Sequence, residues 1–239
     1  GIVMVGEVLS APRESWKVHV SKALEMWNKI SDRTTLGIAR LACMKPEDAN
    51  VMVRSMILAH DVGKLTSPWQ RRITLERGPR IPHAPLGATY LWRQLERLGD
   101  TRYAPTFAVN IHHIDRGIIG ENTERPHVQL VLFRLVDHRG GVRWSDGAEK
   151  TLVEVGAKAE IETLPLSEIT VSDCEKMAEG TRVWSRGVGI IDRHRRRLVA
   201  SSLHHILKIC DIRAASTREE LGTREHRPLV QKILEGGLL

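Results

Sequence analysis

Two carboxylates stand where a helical pattern would turn them toward a core, and histidines stand with them. Asp61 lies four residues after Ile57 and directly follows His60, which lies four after Met56; Asp211 lies four after Leu207. A carboxylate on an apolar face is costly unless something pairs with it, and a metal ion is one such partner. Along the chain the candidates run His19, His60-Asp61, His83, His112-His113 and Asp211. Mixed imidazole and carboxylate donors suit Mn, Fe, Co, Ni or Zn better than Mg, which prefers oxygen alone. Two such ions about 3.5–4 Å apart can activate a water near neutral pH and neutralise charge on phosphoryl oxygens, as phosphodiester hydrolysis requires.

Taken singly, each of these histidines reads more simply as a core or surface residue, and it is their joint occurrence that reverses the reading. Lys64 falls one turn after His60, so its ammonium can reach the same place and meet a scissile phosphate; it can equally be a solvated charge. Trp69 with Arg71 and Arg72, and Arg77 and Arg80 beyond, would suit stacking and phosphate contacts along a single strand, or form an ordinary basic loop.

These side chains need helices to place them. Trp16, Val20, Ala23, Trp27 and Ile30 recur at three- and four-residue steps, predicting an amphipathic helix over about 12–30 with His19 beside its apolar face and both tryptophans in the core. A second helix should start near Pro46-Glu47-Asp48 and run to His60-Asp61. Residues 66–82 read as a loop or short broken helices. Helical patterns resume at about 86–98, 105–114 and 125–136, and a last helix starting around Arg195 carries Leu203, Ile206 and Leu207 up to Asp211. Adjacent helical residues point about 100° apart, so His112 and His113 can share one ion only where a helix ends or bends, and Asp115-Arg116-Gly117 offers a place for that. Glycine pairs and the alternation Glu160-Ile161-Glu162-Thr163-Leu164 predict a small β-containing insertion near 139–189 in an otherwise mainly α fold, with 1–239 as one domain.

The 239 residues, 41% of them hydrophobic, are enough for a sizeable core. The formal net charge of +7 suits a polyanionic partner. The 3 cysteines, Cys43, Cys174 and Cys210, have no zinc spacing and are odd in number, which argues against a disulfide framework and fits a reducing, cytoplasmic setting. No apolar run is long enough to span a bilayer, and no G-x-x-x-x-G-K-[ST] loop is present to cradle ATP phosphates.

The ordered set, with the words HDVGKLTSPWQ (60–70), PHAPLGA (82–88), NIHHIDRG (110–117) and KICDIRAAS (208–216), resembles the HD nuclease of CRISPR type I interference, within the HD superfamily of metal-dependent phosphohydrolases. The resemblance covers nearly all of the chain outside 139–189 and implies an HD-superfamily helical domain. It implies one metal held by His19, His60, Asp61 and Asp211 and another by His83, His112 and His113, with Asp61 bridging. Asp137, in LVDHRG, competes with Asp211 for the closing position; the word KICDIRAAS favours Asp211. Asp61 and Lys64 would then serve catalysis, by attack of a metal-activated water on phosphorus without a covalent intermediate. Single-stranded DNA, a separate helicase subunit and the guide-RNA effector complex are the implied partners. Two other readings stand beside this one: an HD phosphohydrolase acting on a small nucleotide, such as a deoxynucleoside triphosphate or a cyclic dinucleotide, and a binding module whose site has decayed.

Overall fold

The computed structural model describes residues 6–112 and 132–219, the last three of these by backbone alone. A short antiparallel hairpin, β1 (Leu9–Ala11) and β2 (Glu14–Ser15), turns at Pro12-Arg13 and leads straight into helix α1 (Trp16–Ala42). Ser15 caps that helix by accepting from the Val18 amide, so α1 begins four residues later than Pro12 suggested. It also runs well past Ile30. The extension over Ser31, Asp32, Arg33, Thr34 and Thr35 is polar and faces outward, which blurs the apolar period, and Ile38 and Ala39 return it to the core. Cys43 ends it in the left-handed conformation (φ 54°) with its amide on the Ala39 and Arg40 carbonyls.

Helix α2 (Pro46–Ala59) has proline at its start and Glu47 and Asp48 in its first turn, as anticipated. A 3-10 turn (Val62–Leu65) follows, then α3 (Ser67–Leu75), α4 (Ala84–Gln94), a second 3-10 segment (Glu96–Arg102) and α5 (Tyr103–Asn110). After residue 131 come α6 (Ala148–Lys158), a 3-10 turn (Leu166–Glu168), α7 (Val171–Arg186) and the 30-residue α8 (Ile190–Glu219). The helix expected over 125–136 lies mostly outside the described residues.

The mainly α reading holds, but the 139–189 segment is not a β insertion. Two helices occupy most of it, and its β content is confined to isolated bridges, Val136 with Val142, Gly141 with Thr170 and Thr66 with Trp144. The alternating stretch after Glu160 is neither helix nor strand, and side chains take the place of a neighbouring strand. The Tyr90 hydroxyl accepts from the Leu164 amide (2.7 Å), and the Gln94 amide donates to the Glu162 carbonyl (2.8 Å). A capping box, Thr170 with Asp173, starts α7. Leu152, Val155, Cys174, Met177 and Trp184 from these helices join the same hydrophobic cluster as Trp16, Trp27, Met56 and Leu207.

In that cluster α1 lies between α2 and α8, α8 packs on α5, and α4 packs on α5 and α7. Trp16 and Trp27 are fully buried, as their spacing predicted. Among the described residues no helix is long and apolar enough to cross a membrane.

Candidate metal centre

Helix α2 delivers the His-Asp pair and then stops. His60 keeps helical dihedrals, whereas Asp61 turns away (φ −108°, ψ 11°), so the two adjacent side chains can enter one space. The Trp16 indole donates to the Asp61 carbonyl (2.8 Å), and the Thr66 hydroxyl to the Gly63 carbonyl (3.0 Å), which fixes the turn from both sides. Two glycines let α4 come against it. A Cβ on Gly63 would overlap the His83 carbonyl, and one on Gly87 would lie 2.6 Å and 2.8 Å from the Ala59 and His60 carbonyls. Their bareness is what brings His83 into the site.

Around Asp61 the donor atoms fall into two sets. Its Oδ2 is 3.6 Å from His19 Nε2 and 3.5 Å from His60 Nε2, and Asp211 Oδ1, from α8, is 2.8 Å and 3.4 Å from the same two nitrogens. Its Oδ1 is 3.2 Å from His83 Nε2 and 3.8 Å from His112 Nε2. Within each set the atoms lie within 4.8 Å of one another, a spacing one ion could span, and Asp61 belongs to both sets.

The far side of each ring is held. His60 Nδ1 donates to the Ile57 carbonyl and His112 Nδ1 to the Val109 carbonyl, each at 2.5 Å, and His19 Nδ1 meets Glu14 Oε1 at 2.8 Å. Carbonyls and carboxylates only accept, so each Nδ1 carries a proton and each Nε2 faces the cluster. His60 Nε2 is buried there and makes no hydrogen bond. A buried, inward-facing imidazole nitrogen flanked by two carboxylates at 3.4 Å and 3.5 Å forms with them a set of donors that a cation would satisfy. The residues present fit divalent transition metals in both sets.

Electrostatics support the fit. Burial opposes charge on His19, but Asp211, Glu14 and Asp61 outweigh it and push its pKa up to about 9. Burial likewise opposes charge on His60, and Asp61 and Asp211 still raise it. At His112 burial wins and lowers the pKa to about 4, so that ring is neutral near pH 7. Despite their desolvation, Asp61 and Asp211 are held well below the usual carboxylate range, Asp61 by His60 and Lys64, Asp211 by His19 and His60.

A solved structure, the CRISPR-associated Cas3 HD domain protein from Methanocaldococcus jannaschii, superposes on this chain with a TM-score of 0.63. The match spans 85% of this chain and 100% of that one, at 18% sequence identity. This chain has the HD fold. No protein-family model matches the sequence, and no curated protein does.

Within the HD fold the anticipated residues are placed unevenly. His19, His60, Asp61, His83, His112 and Asp211 converge, whereas His113 lies outside the described residues. Helix α5 ends at Asn110, before His112 and earlier than Asp115, because Ile111 leaves helical geometry (φ −105°, ψ 3°). Asp137, the competitor of Asp211, is exposed and spends its carboxylate on the Arg139 and Gly141 amides of a turn. Lys64 Nζ lies 2.9 Å from Asp61 Oδ2 and is steadied by the Ser10 carbonyl and hydroxyl. Trp69 is not free to stack on a base. Its ring is buried, edge-on to His83 at 6.3 Å and beneath the Lys64 ammonium at 5.4 Å, so it supports the site from behind. Arg71 is exposed on α3 and Arg72 half-buried beside it.

One residue of this support, Glu14, escaped the sequence reading, and another, Gln70, stood in a quoted motif without a role. Glu14 sits on β2 and could be found only by knowing that the hairpin aims it at His19. Gln70 accepts from the Leu9 amide and donates to the Leu9 and Lys64 carbonyls, tying β1 to the His-Asp turn. Gln70 did stand in the quoted motif, but a motif does not say which backbone groups it will pin.

Proposed function

We propose that this HD-fold protein is a metal-dependent phosphodiesterase that cuts DNA, single-stranded by preference, in CRISPR interference. The observation that carries the reading is Asp61, whose two oxygens face two separate histidine sets. His19, His60, Asp61 and Asp211 would hold one divalent ion, and Asp61, His83 and His112 the other, with His113 as a further ligand. Bound there, Mn, Ni, Co or Fe supplies Lewis acidity that eases ionisation of water and offsets charge on the phosphoryl oxygens. The chain does the rest. Asp61 holds the two halves of the site in register, and the Nδ1 contacts of His19, His60 and His112 keep their Nε2 atoms aimed inward.

The opening of the site is marked by the members that solvent reaches. The side chains of Asp211, Lys64 and His83 are 24%, 12% and 11% exposed, against 1% for Asp61. Lys64, at that rim, is placed to meet a phosphoryl oxygen and to hold the Asp61 carboxylate charged. Arg71 and Arg72 extend positive charge away from the opening along α3. In this reading residues 1–239 work as one domain in the cytoplasm, beside a separate helicase subunit and a guide-RNA effector complex.

The test is cleavage of labelled single-stranded DNA by metal-stripped protein given Mn, Ni, Co, Mg or no metal, run beside Asp61→Ala. Metal-dependent cutting that vanishes in Asp61→Ala supports the proposal. Phosphate release from deoxynucleoside triphosphates without strand cleavage would replace it with a small-nucleotide hydrolase, and inactivity on every phosphodiester would leave a binding module.

A further inference from the structure

Outside the histidine sets, arginines gather around a cavity between α3 and the segment that leads to His83. A cleft of about 230 Å³ opens there, its apolar lining formed by Pro68, Leu75, Pro79 and Ile81. Its rim carries four arginines, Arg71, Arg72, Arg77 and Arg143. Arg143 comes from a distant part of the chain and is held in place by backbone pairing. Thr66 bridges to Trp144, and the Ser67 amide donates to the Arg143 carbonyl (2.8 Å). Among the described residues no carboxylate is ion-paired with any of the four. Arg72 Nε is buried and makes no hydrogen bond.

Guanidinium groups gathered on one rim repel one another, even with Arg143 donating one N–H to the Arg134 carbonyl (2.9 Å), and a buried donor left unpaired costs free energy, so a set like this is stabilised by an anion. The apolar floor adds a second requirement, a ligand with flat or greasy surface next to its negative charge. Polynucleotide strands have both, as bases and phosphates alternate along them. The wall formed by Arg77 and Ile81 continues within a few residues to His83, so a strand lying in the cleft is led to the donor sets.

We infer that this cleft grips the sugar-phosphate backbone of a single strand whose neighbouring phosphodiester lies at the histidine sets. The inference rests on the phosphodiesterase reading for that neighbour, but not for the grip itself. Binding is therefore measured apart from cleavage, by fluorescence anisotropy of a labelled oligodeoxythymidylate with metal-stripped protein across a salt series. Two double variants are compared with wild type: Arg72→Gln/Arg143→Gln, and Arg71→Gln/Arg77→Gln, whose exposed side chains leave folding intact. Arg193→Gln/Arg195→Gln, at the exposed start of α8, removes the same charge elsewhere.

Both cleft variants should bind about tenfold more weakly or worse, with the slope of log K against log salt shallower by about 0.7 per lost phosphate contact, while the α8 variant binds like wild type. Equal losses in all three would mean that net charge alone attracts the strand, and no loss in the cleft variants would remove the cleft from the path; either result overturns the inference. Tripolyphosphate and a deoxynucleoside triphosphate are added as competitors. If they displace the strand at matched phosphate concentration and lose affinity in the cleft variants, the cleft is a polyphosphate pocket and the strand assignment is wrong. Metal-dependent hydrolysis of bis(4-nitrophenyl) phosphate by wild type reports the neighbouring site on its own. Its failure would count against the phosphodiesterase reading and leave the binding result to decide the cleft.

Discussion

Glu14 shows how much of a site can rest on a residue that never faces its centre. With its carboxylate on His19 Nδ1, it fixes the ring's orientation and proton position. Glu14→Ala should lower metal affinity about 10–100-fold in a chelator competition while circular dichroism stays unchanged. Undiminished affinity would make the contact incidental. Cysteine chemistry can be read at the same scale. Cys43 is exposed, whereas burial pushes the Cys174 thiol up to about 11 and the Cys210 thiol up to about 12. Native protein at pH 8 should therefore present one thiol to a labelling reagent, and denatured protein all 3. For Cys174 the pKa in the fold lies above the ordinary value of 9, so above pH 9 the unfolded chain loses a proton that the fold retains. Stability from this group is complete below pH 9 and is lost as pH rises through about 11. Urea midpoints should fall more steeply over that window in wild type than in Cys174→Ala; parallel curves would contradict the shift.

At the scale of elements, the contact of α4 with the end of α2 depends on two missing methyl groups. Gly87→Ala forces a Cβ against the carbonyls of Ala59 and His60 and should cost about 1–3 kcal/mol, lower Tm and weaken metal binding together. Gly37 gives the contrast. It lies inside α1 with nothing near a new Cβ, so Gly37→Ala should stabilise by about 0.4–1 kcal/mol and leave metal affinity alone. A Gly87→Ala protein as stable as wild type would mean that α4 can shift without consequence. These elements also show what the sequence made legible. Proline and acids at its start announced α2, and the apolar period announced the first half of α1. The second half of α1 was hidden because polar residues face water there and the helix is carried by what Ile38 and Ala39 touch. Residues 160–164 alternate like a strand, yet Leu164 and Glu162 find their backbone partners in the side chains of Tyr90 and Gln94, and no local pattern encodes partners 74 and 68 positions away. The candidate ligands were legible because their types and order are distinctive. Trp69 was misplaced because an aromatic beside arginines looks the same from sequence whether its ring faces a ligand or the core.

For the whole molecule, the cluster concentrates unlike charges where water does not reach, so an ion that binds only the folded form should stabilise it by mass action. Chelator-stripped protein should gain several degrees in Tm on addition of Mn or Ni, and Asp61→Ala should gain nothing. An equal gain in Asp61→Ala would place the stabilising ion elsewhere. Excess charge of +7 should also make any strand binding fall steeply with salt.

His19 and Asp211 meet across 192 positions of sequence. The first donor set is therefore closed by the docking of α8 on α1, the longest-range pairing around the site. During synthesis a ribosome holds a chain with His60, Asp61 and His83 already displayed but with one wall of the cage still untranslated. Whatever reactivity the finished cage confers is withheld from the nascent chain, and the emergence of α8 acts as the timer for its maturation.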